Sequence, residues 1–168
     1  TVAVVATGGV GSNVIQIAKA FGARRIVAID VADDKLAAAV EMGATDTVNS
    51  AKVNAREAVM ELTGGRGVDV AFEVLGRPQT WLTALDVLRD GGRMVPIGLG
   101  AGVQKAEVEI NRTVRRSQSI IGSYGARTRR DLPEVVRMAA AGVIDYRHIV
   151  SRRYGLDEVA AGYQQLHD

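Results

Sequence analysis

Residues 1–11, TVAVVATGGVG, predict an apolar strand that runs directly into a glycine-rich turn. The pattern of residues 12–22 predicts a helix, and residues 25–29 predict a second strand that leads into Asp30. Asp30 comes nineteen residues after Gly11, the last glycine of the turn. Strand, glycine turn, helix, strand and acid in this order are the fingerprint of a dinucleotide-binding unit.

The glycine turn predicts a site for phosphate groups. The first amides of a helix lack partners within the helix and carry part of its positive dipole, so they bind pyrophosphate without a cationic side chain. Gly8 leaves room for the phosphates, and Gly11 lets the helix pack closely on its strand. Gly9 and Val10 lie between them and complete the turn. Ala6 replaces the first glycine of the usual pattern, and we expect slightly altered backbone angles there.

The acid at the end of the second strand predicts which cofactor is bound. The carboxylate of Asp30 can accept hydrogen bonds from both ribose hydroxyls, whereas a 2′-phosphate would face a like charge. The sequence therefore favours NAD over NADP. Lys35, five residues further on, can reach back to the ribose, although a solvated helix lysine explains the same spacing.

Composition excludes several classes of function. The 168 residues suffice for one domain, and a net charge of +2 is too small to indicate a nucleic-acid partner. No apolar run approaches the length of a transmembrane helix, so we expect no membrane partner. The absence of cysteine removes disulfides and thiolate metal sites and agrees with the cytoplasmic location that we expect. The chain opens within a strand and closes within a helical pattern, so we expect a piece of a larger protein.

Strands and helices alternate along most of the chain. Near-continuous apolar strands linked by helices predict a three-layer, doubly wound α/β Rossmann fold with a mainly parallel sheet of about six strands. Asp33 is expected to cap the second helix, and Pro78 and Pro133 to stand in the first turns of later helices. Further helices are predicted over residues 34–42, 54–63, 79–89, 132–141 and 156–166, and further strands over residues 46–49, 68–74, 93–97, 106–110, 119–122 and 148–150.

Two further strand ends are candidate binding positions. In an open parallel sheet the ligand lies beyond the carboxyl ends of the strands. The residues that follow those ends are Val74, Leu75, Gly76 and Arg77 after one strand, and Ile97, Gly98 and Leu99 after another.

The whole chain resembles the cofactor domain of medium-chain, zinc-dependent alcohol dehydrogenases. The likeness is carried by the glycine turn with its helix, by the acid with the lysine that follows it, and by three later motifs. These motifs are residues 8–12 with 16–23, residues 29–30 with 34–35, and residues 41–46, 67–77 and 91–98.

The resemblance implies a role for each part of the site. It implies that the pyrophosphate lies on residues 8–10 and that Asp30 and Lys35 hold the adenosine ribose. The residues that would flank the adenine half are Val31, Val74 and Arg77, and those whose backbone would fix the nicotinamide carboxamide are Ile97, Leu99 and Ile121.

The resemblance also implies what the parent protein does. An alcohol would be oxidised reversibly to an aldehyde or ketone by hydride transfer to NAD, with zinc held in a catalytic domain absent from residues 1–168. This chain would bind NAD(H) without turnover, and we expect no catalytic or metal-binding residue in it. His148 and His167 are interpreted as ordinary surface histidines. An edge strand near Val108 and Ile110 would join two copies into a homodimer or a dimer of dimers.

Three alternatives remain at this point. A zinc-free quinone or enoyl reductase of the same superfamily would favour NADPH and lack an acid at the position of Asp30. A non-catalytic NAD-sensing regulatory domain would share the glycine turn and the acid. A methyltransferase would share both as well, but it would leave the end-to-end likeness to dehydrogenases unexplained.

Overall fold

The structure is a computed structural model that describes residues 1–125, 127–146, 149–150 and 152–167, without the side chains of residues 166 and 167. Its described part contains one sheet of six parallel strands. The strands are β1 (Val2–Val5), β2 (Ile26–Asp30), β3 (Asp46–Asn49), β4 (Val68–Glu73), β5 (Leu88–Pro96) and β6 (Ser119–Ile120). Their order across the sheet is β3-β2-β1-β4-β5-β6, so the direction of winding reverses between β1 and β4.

The register brings three strand ends level with one another. Val5 of β1 pairs with Ile29 of β2 on one side and with Glu73 of β4 on the other. The segments that leave these strands therefore start from one edge of the sheet, at the reversal of strand order where ligands bind in folds of this type.

Seven helices surround the sheet in the described part of the chain. They are α1 (Gly9–Ala20), α2 (Asp33–Glu41), α3 (Ala55–Leu62), α4 (Pro78–Asp86), α5 (Ile110–Arg115), α6 (Thr128–Ala140) and α7 (Val159–His167), the last preceded by a 3₁₀ turn at Leu156–Glu158. Local sequence explains two of the starts. Asn54 Oδ1 accepts hydrogen bonds from the amides of Arg56 at 3.0 Å and Glu57 at 3.2 Å, and Pro78 occupies the first turn of α4.

The core lies on both faces of the sheet. Alternate residues of a strand point to opposite faces, so Val27 and Ile29 of β2 pack with Val59 of α3, while Ile26 and Ala28 pack on the opposite face, in the cluster that contains residues of α1 and α2. All five residues of β2 are buried, as expected for a strand covered on both sides. The predicted three-layer α/β fold is thereby confirmed.

The expectation that Asp33 caps α2 is wrong. The cap position is taken by Ala32, and Asp33 lies inside the first turn. Its carboxylate binds Lys52 Nζ at 2.5 Å and Asn49 Nδ2 at 2.6 Å, so it joins α2 to the last residue of β3 and to the segment that follows.

The predicted edge strand at residues 106–110 is also wrong in this chain. Residues 103–109 have no regular structure, and α5 begins at Ile110. A strand needs a neighbour for its N–H and C=O groups, and in the described sheet β6 is the only strand beside the outer edge of β5. Val108 instead packs against the core cluster that contains residues of α4.

The carboxyl-terminal part departs from prediction in three further places. Helix α6 begins one turn earlier than expected, so Pro133 lies inside it; the carboxylate of Asp131 accepts the Arg127 amide at 3.2 Å and holds the added turn. Residues 149 and 150 form no strand, and His148 lies outside the described residues. The last predicted helix opens as the 3₁₀ turn before α7. None of the helices in the described ranges has both the length and the apolar character needed to cross a membrane.

Candidate functional site

The turn between β1 and α1 presents open backbone. Gly8 is the cap residue of α1, and its carbonyl accepts the Ser12 amide at 2.9 Å. No side chain of the described residues caps this helix end. An ideal Cβ placed on Gly8 or on Gly9 would meet no atom within 4 Å. The start of α1 therefore faces free space, and its first amides are available to an anion.

Gly11 occupies the close-packed position that the sequence predicts for it. A Cβ there would lie less than 3.0 Å from the carbonyl oxygen of Ala6 and 3.3 Å from Cγ2 of Val74. Helix α1 thus passes directly over the end of β1 and against the residue that follows β4. Any larger residue at position 11 would push the helix away from the turn.

Ala6 corrects the expectation of slightly altered backbone angles. Its φ is +72°, so an alanine occupies the left-handed region that glycine usually fills. The Ala6 amide donates to the carbonyl of Ile29 at 2.8 Å, and its own carbonyl lies against Gly11. Both ends of the peptide are held, so the turn keeps its shape and Ala6 carries strain of about 1–2 kcal/mol.

Asp30 is buried and already oriented. It is 8% exposed, and its Oδ2 accepts the Thr7 amide at 2.7 Å while Oδ1 accepts the Val31 amide at 2.8 Å and the Ala32 amide at 3.2 Å. Burial raises the pKa of Asp30, but the hydrogen bonds from these amides and from the Thr7 hydroxyl outweigh it and lower the pKa below its ordinary value. The carboxylate is therefore ionised at neutral pH and held at the end of β2.

Thr7 is a site residue that the sequence reasoning missed. It is 3% exposed, and besides its amide its Oγ1 donates to Asp30 Oδ2 at 3.1 Å. Its carbonyl accepts the hydroxyl of Ser12 in α1 at 3.0 Å. Thr7 thus ties the carboxylate to the glycine turn and to the helix. The sequence feature that could have indicated this role is a residue with a hydroxyl group inside the glycine turn.

The other predicted residues near the glycine turn and Asp30 are exposed to solvent. Val10 is 51% exposed and Val31 is 64% exposed, so both present apolar surface to solvent. Lys35 is also exposed, in the first turn of α2, and it is not among the groups that bind the Asp30 carboxylate. The structure brings Val31 next to Asp30 but does not join Lys35 to it.

The predicted residues after β4 and β5 form two loops in contact, which we call the paired loops (residues 74–77 and 97–100). A Cβ on Gly76 would lie less than 3.0 Å from backbone atoms of Leu99 and Gly100, and one on Gly98 would lie as close to the backbone of Leu75 and Gly76. The two loops cross at glycines because no side chain fits between them. The sequence predicts these residues as two separate strand ends, and the structure brings the two ends into contact.

A cavity of about 390 Å³ opens beside the paired loops. It is bordered by Arg77 and Leu99 of the loops, by Trp81 of α4, and by Gln104 and Val108 of the following segment. Leu75 is 41% exposed and Leu99 is 75% exposed. Ile121 follows β6, is 51% exposed, and donates its amide to the carbonyl of Met94 at 2.9 Å.

Metal binding is a separate question at this edge. In the described ranges, no three or more His, Asp or Glu side chains gather into a group that could hold a metal ion.

Comparison with known proteins places this arrangement in one family. The family profile described as zinc-binding dehydrogenase matches residues 9–141. Sorbitol dehydrogenase of Bacillus subtilis is 34% identical over 159 residues, which cover 94% of this chain and 44% of that protein. L-threonine 3-dehydrogenase of Burkholderia vietnamiensis is 30% identical over 165 residues, covering 98% of this chain and 47% of that protein.

Solved structures agree with the sequence comparison. The alcohol dehydrogenase zinc-binding domain protein from Burkholderia ambifaria superposes with a TM-score of 0.93 at 28% identity, covering 99% of this chain and 45% of that one. The chain thus spans about half the length of the curated relatives it matches. The resemblance inferred from the sequence motifs is confirmed, and the chain belongs to the zinc-binding dehydrogenase family.

Proposed function

We propose that this chain binds NAD(H) and prefers it to NADP(H). The observation that carries the proposal is the fixed, ionised carboxylate of Asp30 beside the open amides at the start of α1. The free space at Gly8 and Gly9 fits a pyrophosphate, which would bind amides at a helix N-terminus. Asp30 would accept the hydroxyls of the adenosine ribose and repel a 2′-phosphate. Lys35 would help to hold that ribose, and Val31 would flank the adenine half.

The rest of the cofactor would lie along the carboxyl edge of the sheet. Val74 and Arg77 would flank its adenine half, and Leu75 and Gly76, which touch residues 98–100, would border its middle. Ile97, Gly98, Leu99 and Ile121 would border the nicotinamide, with backbone groups that fix its carboxamide. The contact between the paired loops supports this proposal, because it makes one continuous surface next to the cavity.

We further propose that residues 1–168 are the NAD-binding domain of a longer dehydrogenase that interconverts alcohols and aldehydes or ketones. Support comes from relatives named for sorbitol and L-threonine and from a structural neighbour named as an alcohol dehydrogenase protein. When bound, the cofactor would supply the chemistry of hydride transfer. The chain's own contribution is to hold and orient the cofactor, since the reacting atoms must come within about 3–3.5 Å. The chain alone is proposed to bind without turnover, and alcohol oxidation by the purified chain would contradict this.

The proposed assembly is a homodimer or a dimer of dimers of a cytoplasmic protein. Ser119 and Ile120 form the outer strand of the sheet, and residues 103–109, which include Val108, are irregular and lead into α5 at Ile110. A second copy could supply the strand neighbour that this segment lacks. Sedimentation of the chain at several concentrations tests this, and a monomer at all of them would contradict it.

The decisive experiment is calorimetric titration of the chain with NADH and with NADPH, for the unchanged protein and for Asp30→Asn. We expect tighter binding of NADH and a smaller preference in the variant. Asp33→Asn is the matched control, because its carboxylate is occupied by Lys52 and Asn49 away from the turn. Tighter binding of NADPH would contradict the proposal and favour the zinc-free reductase. Binding of neither nucleotide would reject it, and a longer protein that binds NADH without oxidising any alcohol would favour the sensor.

A further inference from the structure

Glu73 is a buried carboxyl group beneath the proposed nicotinamide site. It ends β4 and is 0% exposed. Its Oε1 accepts the amides of Leu75 and Gly76, each at 2.8 Å, and the hydroxyl of Thr80 in α4 at 2.7 Å. One carboxylate oxygen thus holds the first of the paired loops and connects it to the helix that follows.

The main chain of the same residue holds the second loop. The carbonyl of Glu73 accepts the amide of Ile97 at 2.8 Å and that of Gly98 at 3.1 Å. Side chain and main chain of one residue therefore bind both paired loops. Because the loops also touch backbone to backbone at Gly76 and Gly98, neither can shift far without moving the other.

The other carboxylate oxygen has a different environment. Oε2 of Glu73 is buried and has no hydrogen-bond partner among the described residues. A buried polar atom without a partner costs stability that an apolar side chain of similar size would avoid. Packing alone therefore does not account for a carboxyl group here, whereas the three bonds at Oε1 give it a specific task.

We propose that Glu73 is a positioning residue for the nicotinamide end of the cofactor. It fixes the paired loops as a single preformed surface, so that little ordering is needed when the cofactor binds. This inference rests on the proposed binding of NAD(H). It adds that the affinity for the nicotinamide end depends on a buried group that does not itself touch the cofactor.

The test compares two variants with two ligands. Glu73→Gln keeps an oxygen acceptor of the same reach, whereas Glu73→Met keeps the length and removes the acceptor. Each variant is titrated with NADH and with ADP, which lacks the nicotinamide and its ribose but keeps the adenine, ribose and diphosphate of the other half. We expect Glu73→Met to weaken NADH binding about tenfold, as the loss of one or two net hydrogen bonds implies, and to change ADP binding less than about threefold. Glu73→Gln is expected to stay within about threefold for both ligands.

Hydrogen exchange at the Leu75 and Gly76 amides, measured by NMR, reports directly on the loop. Exchange at both should speed up by about tenfold in Glu73→Met and remain near its original rate in Glu73→Gln. Unchanged NADH affinity in Glu73→Met would overturn the inference alone, as would equal weakening of NADH and ADP. Failure of the unchanged chain to bind NADH would overturn the proposed function and this inference with it.

Discussion

Apolar residues are buried in strand β2 but exposed in helix α6. In β2 every residue is buried between two helical layers. In α6, apolar residues recur on one helical face, yet none is buried: Leu132 is 51% exposed and Val136 is 57% exposed. The 3₁₀ turn before α7 is also exposed, since Leu156 within it is 94% exposed. Strand β2 is thus covered on both sides by this chain, whereas α6 and the 3₁₀ turn carry apolar surface that this chain does not cover.

The largest expected effect tests that contrast in the core. Ile29→Ala removes a side chain that is 1% exposed between two strands, and we expect it to lower the free energy of unfolding by about 2–5 kcal/mol. Val136→Ala, the matched truncation on α6, should change it by less than about 0.5 kcal/mol. Urea unfolding curves of both variants measure the difference. Equal losses would show that the apolar face of α6 is buried in solution, and the comparison would break.

The next largest effects come from two glycines of the turn, one needed for packing and one for the proposed binding of phosphate. Gly11→Ala places a Cβ against the Ala6 carbonyl, so we expect a loss of about 1–3 kcal/mol in the free energy of unfolding. Gly8→Ala places its Cβ in open space, so the loss should be about 1 kcal/mol or less while NADH binds about tenfold more weakly. Urea unfolding and NADH titration of the two variants check this. A Gly8 variant with full NADH affinity would contradict the proposed phosphate site.

A smaller effect concerns the strained alanine. Ala6→Gly removes a side chain from a left-handed backbone, so we expect the free energy of unfolding to rise by about 1 kcal/mol. The same substitution at Ala37, exposed within α2, should lower it by about 1 kcal/mol because helical glycine is unfavourable. Thermal unfolding distinguishes the signs. A loss of stability in Ala6→Gly would show that the turn relaxes in solution.

The smallest expected effect is a change in pH dependence. The pKa of Asp30 is lower in the folded chain than its ordinary value of 3.8, so its ionised form stabilises the fold. That contribution is complete above the ordinary Asp pKa and is lost as the pH falls through the lower, folded value. Asp30→Asn should therefore show a shallower decline of the unfolding free energy below about pH 4 than the unchanged chain. Parallel curves would contradict the lowered pKa.

The sequence predicted the first half well because its signals are local. Strand β3 begins and ends where the pattern predicts, at Asp46 and Asn49, and the glycine turn lies between β1 and α1. The irregular segment around Val108 could not be predicted, because alternation of polar and apolar residues says nothing about whether a neighbouring strand exists.

The sequence also did not predict the roles of Thr7 and Glu73, whose hydrogen bonds hold the candidate site together. Thr7 and Glu73 act through hydrogen bonds to amides whose positions depend on how β1, β2, β4 and β5 meet. The sequence places Glu73 within a predicted strand and gives no sign that both of its polar groups face loops. Strand ends can be found by periodicity, but the bonds that join them depend on the assembled sheet.

The hydrogen bonds already made by Asp30 affect how much enthalpy a ribose could gain by binding there. An ionised carboxylate has about four acceptor positions, and the amides of Thr7, Val31 and Ala32 with the Thr7 hydroxyl already supply four donors. Each of the two ribose hydroxyls would have to replace one of the longer bonds, at 3.1 and 3.2 Å, so the net gain in enthalpy would be small. Binding of the ribose at Asp30 would then replace one set of hydrogen-bond donors by another. Its selectivity would come chiefly from the repulsion between the carboxylate and a 2′-phosphate.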